Sequence, residues 1–303
     1  MGAAQLGLGY GLNIIRFADA GGQLTTGIWV AGLTWATWIA ATSTIVGAVA
    51  ADRLGSRAGH DAGPDRGAGP PPDRLTTVLW RLVLATAAAL GAATTIALIA
   101  VPARAAELDE VASPQTVAAG YAALGVVASL LIAVAALAAR AVATNLLATA
   151  AWLWLLAVLA VTDQVLSGTS SARVPLGFWE FPPDGPWFRS VLLPDAGLAV
   201  AAALAIGLLA ALPAARRGDH PVGVVSSGTT GPLVIALAYL LTQPDLVGAA
   251  AVDLSRQLVA PYLVLAGLLG SLLASAVRAR APEPADGPAS GRVPAPRTPA
   301  PAG

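Results

Sequence analysis

The chain contains no cysteine and no lysine, and its only histidines are His60 and His220. Without cysteine it can form no disulfide, thiolate metal site or cysteine nucleophile. Without lysine, a Walker-type phosphate loop lacks its cation and a Schiff-base mechanism lacks its amine. Both histidines fall in hydrophilic linkers, so no apolar segment can hold a bis-histidine haem, an H-E-x-x-H zinc site or an intramembrane Ser-His-Asp triad. Charge is scarce too: 11% of the 303 residues are charged, against about 25% in soluble domains. The formal net charge is zero, which argues against a nucleic-acid partner. No catalytic residue, cofactor or metal ligand is expected.

What the chain does have is apolar length. Residues 20–51, 82–103, 111–139, 141–162, 196–215, 221–244 and 257–277 contain no Asp, Glu, Lys, Arg or His. Each is long enough to cross a bilayer core, which takes about 20 residues of helix. A soluble domain of this size cannot bury that many wholly apolar helices. The expected fold is therefore all-α, a polytopic transmembrane bundle of about seven spans near 27–49, 82–102, 117–138, 143–162, 196–213, 230–251 and 257–277. Residues 1–15 are apolar but short of a span. They fit an interfacial segment slightly better than the remnant of an eighth helix, and they lack the basic start of a signal peptide.

Arginine placement sets the expected sidedness. With the N-terminus out and the C-terminus in, the internal segments hold twelve arginines: Arg53, Arg57, Arg66, Arg74, Arg81, Arg140, Arg216, Arg217, Arg278, Arg280, Arg292 and Arg297. The external segments hold five: Arg16, Arg104, Arg173, Arg189 and Arg256. This is the bias of the positive-inside rule. Arginine-only, alanine-rich usage fits a GC-rich bacterial gene, and hence a bacterial plasma membrane. Residues 1–280 form the membrane domain, with a disordered cytoplasmic loop expected at 52–76 and a disordered Pro/Ala-rich cytoplasmic tail at 281–303. Residues 163–195 form an external loop. The link between spans three and four is short, with its turn expected within Ala138–Asn145 and Arg140 and Asn145 as its polar residues.

Several features could carry function. Small residues recur at helical spacing in the first span (Gly27, Thr34, Thr37, Ala41, Thr44, Ala48) and in the last (Gly267, Ser271, Ser275). Such stripes serve packing within one bundle, or otherwise a homo-oligomer face. Of the deeper tryptophans, Trp35, Trp38, Trp152 and Trp154, intramembrane packing or lipid contact is expected before a cavity. In the sixth apolar stretch, Ser226–Pro232 is expected to interrupt the helix on one side. If the span extends to 252, Gln243, Pro244 and Asp245 fall within the membrane, where a Pro-broken helix and an acid mark a transport site. If it ends near Thr242, those residues begin an external loop. The external loop carries Phe178, Trp179, Phe181, Trp187 and Phe188, rings suited to interfacial anchoring or to a protein partner. Glu107, Asp109 and Glu110 form an acidic external segment whose simplest reading is solvation. The Gly7–Gly11 cluster lacks the strand context of a nucleotide fingerprint.

No motif assigns a family. The favoured reading is a non-enzymatic envelope, assembly or interaction component that contacts membrane lipid and other membrane or envelope proteins. The alternatives are a small-solute transporter centred on span six, and an enzyme for a lipid-linked substrate using external acids.

Overall fold

The computed structural model describes residues 1–17, 24–61, 73–108, 111–168, 174–178, 195–242 and 251–279, and among them it contains helices and no strands. In chain order the helices are α1 (Gly2–Gly11), α2 (Thr26–Asp61), α3 (Arg74–Ala92), α4 (Thr94–Ala103), α5 (Pro114–Ala138), α6 (Arg140–Ser167), α7 (Asp195–Arg217), α8 (Pro221–Thr242) and α9 (Ala251–Ala279). Seven segments are long and apolar enough to span a bilayer: Thr26–Arg57, Arg74–Ala103, Pro114–Ala138, Arg140–Ser167, Ala196–Arg217, Pro221–Thr242 and Val259–Val277. The chain is a multi-pass membrane protein of the all-α class. Helices are the natural solution for such sequences, because lipid offers no partner for an exposed backbone group.

α2 is the hub. Within its most apolar window 83% of residues are buried by the rest of the chain, against 22% for the α3–α4 span. The small-residue stripe explains how α2 can be surrounded. Thr34, Thr37, Ala41, Thr44 and Ala48 are all buried, and Gly125 lets α5 approach until the Thr37 carbonyl lies against its backbone. The last stripe is also used inside the chain. Gly267 of α9 meets Gly228 of α8 and Gly207 of α7 backbone to backbone, and Ser271 Oγ donates to the Val225 carbonyl at 2.6 Å. α1 docks against α2 and α4: Leu6 is buried, Thr42 Oγ1 donates to Gln5 Oε1 at 3.3 Å, and the Tyr10 hydroxyl donates to the Leu98 carbonyl at 3.2 Å. Burial pushes the Tyr10 phenol up, so it remains a donor.

Four expectations about boundaries require correction. The helix expected to end at 49 runs on to Asp61, so ten residues assigned to the loop at 52–76 are helical. The second span begins at Arg74 rather than 82, and breaks at Ala93 into α3 and α4. There the Thr94 and Thr95 hydroxyls donate to the carbonyls of Gly91 and Ala92, beside a glycine that weakens the helix.

The sixth span is Pro221–Thr242 rather than 230–251. Ser226–Pro232 does not interrupt it, because Ser227, Thr229 and Thr230 satisfy their hydroxyls on carbonyls three residues back. The carbonyl released by Pro232, that of Gly228, lies against the Gly267 backbone in a weak contact common at helix interfaces. Finally, the turn between α5 and α6 falls within Ala138–Asn145 as expected but is a single residue, Ala139, at φ −137° and ψ 117°. Asn145 is not in that turn but buried in α6.

Candidate functional site

A cavity among the described residues lies at the end of the bundle that the arginine bias assigns to the cytoplasm, and five helices build it, α5 contributing Ala136, Leu137 and Ala138. Because α2 stays helical past its apolar part, Arg53 and Arg57 stand one turn apart on one face. α3 supplies Thr77, Trp80 and Arg81. The one-residue turn at Ala139 sets Arg140 at the start of α6, with Thr144 a turn later.

Arg217 ends α7, fixed by a glycine C-cap. Gly218 adopts φ 82°, a left-handed conformation that glycine takes without strain. Its N–H donates to the Ala215 carbonyl and that of Asp219 to the Ala214 carbonyl, the bond pair of a Schellman motif. The resulting vestibule is open to solvent and has a volume of about 740 Å³, within the roughly 300–1,000 Å³ of small-molecule sites.

Its electrostatics are one-sided. Arg53, Arg57, Arg81, Arg140 and Arg217 line it, against a single carboxylate, Asp52. Among the described residues the one ion pair here is Arg217 Nη2 to Asp219 Oδ2 at 3.0 Å. Both of its side chains are more than a third exposed, so it contributes little. The other four guanidiniums have no carboxylate partner among the described residues. Guanidinium stays charged at every physiological pH and presents a planar fork of donors matched to carboxylate and phosphate. Such a group binds and orients anions; it does not relay protons.

Two further polar constructions lie inside the bundle. Trp35 Nε1 donates to the Val174 carbonyl at 2.8 Å, and the Tyr239 hydroxyl to the Leu176 carbonyl at 2.7 Å. Together they pin residues 174–178 between α2 and α8. Val174, Leu176 and Phe178 are buried there, with the Phe178 ring edge-on to Tyr239 at 6.1 Å. Trp35 also meets Trp38 and Trp154, at 5.6 and 5.5 Å between ring centroids. These deeper rings are packing residues, and Trp35 is in addition a clamp on the loop. The second construction joins α6 to α8: Asn145 Oδ1 accepts from the Gly231 N–H at 2.9 Å and from Thr230 Oγ1 at 3.4 Å.

No family model, curated protein or solved structure matches the chain. Its function must be read from its own geometry.

The residues singled out from sequence are distributed unevenly. Gln243, Pro244 and Asp245 lie outside the described residues, directly after α8 ends at Thr242. Trp179, Phe181, Trp187 and Phe188 also lie outside them, whereas Phe178 points inward. Glu107 is exposed, and Asp109 and Glu110 lie outside the described residues. No three His, Asp or Glu side chains among the described residues gather as a metal site would require.

Two features were missed. The arginines that gave sidedness also converge in space, which a count along the chain cannot reveal. Asp163, at the start of the stretch 163–195 expected to be an external loop, is in α6 and only 6% exposed, and its Oδ1 has no hydrogen-bond partner among the described residues.

Proposed function

We propose that this protein is a non-enzymatic membrane component that works by binding, and that its ligand is an anion held in the arginine-lined vestibule. The single observation that carries this reading is the convergence of five guanidiniums on one 740 Å³ space that contains one carboxylate. Guanidiniums gathered with few carboxylates raise the local positive potential, which favours an anion there. Arginine offers several kilocalories of charge-assisted hydrogen bonding to a phosphate or carboxylate, yet no proton transfer. Binding is therefore supported over turnover.

The direct test is isothermal titration of the purified full chain with inorganic pyrophosphate at low and moderate salt. Saturable binding that weakens with salt, and is lost in Arg53→Gln/Arg140→Gln, supports the reading. Titration indistinguishable from that of the double variant would refute it.

One observation favours a second reading, transport. A carboxylate buried within a membrane helix is costly, and it marks ion and solute pathways in many transporters. Asp163 is such a group. Uptake by proteoliposomes that is abolished by Asp163→Asn, while the variant folds normally, would move the function to α6. Unchanged uptake would remove Asp163 from consideration.

A further inference from the structure

The geometry points to an anionic phospholipid as the occupant of the arginine vestibule, its phosphate between the guanidiniums and an acyl chain along the outer face of α3. This inference rests on the anion-binding reading and narrows it to one source of the phosphate.

The vestibule has a wall that faces lipid. Trp80 lines it and is nonetheless 59% exposed on the outer side of α3. From Trp80 the exposed stripe continues through Val83 and Ala87 to Leu90, which is 72% exposed. These residues recur at i, i+3, i+7 and i+10, one face of a helix. At about 1.5 Å per residue the stripe is roughly 15 Å long, half of a hydrocarbon core about 30 Å thick. That is the reach of one leaflet.

The polar and apolar halves of the site are thus stacked in the order in which a lipid presents them. Guanidiniums come first, then an amphipathic ring of the type that settles at the interface, then alkyl surface. α3 belongs to the least buried of the seven spans, so no other helix of this chain competes for the stripe along most of its length.

Charge complementarity selects the headgroup. Arg53, Arg57, Arg81 and Arg140 have no carboxylate partner among the described residues, and Asp52 is the one carboxylate in the lining. A zwitterionic headgroup would bring its own cation into this field. An anionic one, such as phosphatidylglycerol or cardiolipin, does not. Basic recesses between membrane helices on the cytoplasmic side hold such headgroups in general.

The experiment uses the full chain purified in a non-ionic detergent, with lipid binding resolved by native mass spectrometry. Phosphatidylglycerol, cardiolipin and phosphatidylcholine are compared, with inorganic pyrophosphate as the soluble source of the same chemistry. The expected result is retention of phosphatidylglycerol and cardiolipin at least tenfold tighter than phosphatidylcholine. Arg53→Gln/Arg140→Gln should weaken that retention about twenty-five-fold, at roughly fivefold per arginine near an anionic headgroup.

Val83→Asn, which alters only the exposed stripe, should weaken lipid and leave pyrophosphate untouched. It keeps the test open should the arginine variant fail to fold. Pyrophosphate binding without preference among the three lipids would overturn the lipid assignment and leave anion binding standing. No binding of any of the four above the level of the arginine variant would overturn both.

Discussion

Replacing Gly267 by alanine should loosen the α7–α8–α9 side of the bundle, and the size of the effect follows from where the new methyl group would go. A Cβ at 267 would overlap the carbonyl oxygen of Gly228, lie 3.0 Å from its carbonyl carbon and 3.3 Å from Pro232 Cγ. Two of those three atoms are backbone, so no side-chain rotation relieves the contact, and α8 and α9 must separate. Forced overpacking of this kind costs about 1–3 kcal/mol.

Alanine also has the better helix propensity, by roughly 0.5–1 kcal/mol, which blurs a single measurement. Gly120→Ala in α5 supplies the control, since a Cβ there meets nothing within 4 Å. Both variants share the propensity gain, so their difference isolates the steric term. Reversible unfolding in mixed micelles should place Gly267→Ala about 1–3 kcal/mol below Gly120→Ala. Equal stabilities would refute the backbone contact between α8 and α9 on which the packing of this region depends.

Two other substitutions probe the polar contacts. Asn145→Ala removes the acceptor shared by the Gly231 N–H and the Thr230 hydroxyl and should cost about 0.5–1.5 kcal/mol in the same unfolding assay; a change within error would mean the α6–α8 link is dispensable. Tyr239→Phe removes one donor to the 174–178 segment while keeping the ring, and Trp35→Phe removes the other together with part of the indole. At roughly 0.5–1.5 kcal/mol per bond, amide hydrogen exchange across Val174–Phe178 should quicken about threefold to tenfold in each. Unaltered exchange would show that burial alone holds the segment.

Membership of the all-α membrane class was legible because it depends on a local property, a run of residues without ionisable groups. The starts and ends of helices were less legible because other forces decide them. Residues 52–61 carry charge, two glycines and a serine, yet they continue α2 because the helix is already nucleated and solvent accepts the polar side chains of residues 53–57. Ser226–Pro232 reads as a break by composition. Inside a bundle, however, the serine and threonine hydroxyls and a neighbouring glycine backbone absorb the polar groups that would otherwise unwind it.

The candidate site was invisible for a different reason. Arg53, Arg81, Arg140 and Arg217 are far apart along the chain, and only the alternation of helix direction brings them to one end. The sidedness argument contained the signal, since antiparallel spans must gather their internal arginines on one surface. What it lacked was the cavity between them.

The central claim is that the outward apolar faces lie in lipid while the arginine vestibule meets the cytoplasm. Because the chain has no cysteine, a single introduced thiol reports cleanly on its surroundings. Leu131 is 81% exposed on α5 and Ser56 lines the vestibule. With a membrane-impermeant maleimide, Ser56→Cys should label only after cells are permeabilised, and Leu131→Cys should label only after denaturation in SDS. Labelling of Leu131→Cys at the rate of Ser56→Cys would place that face in water and contradict the account.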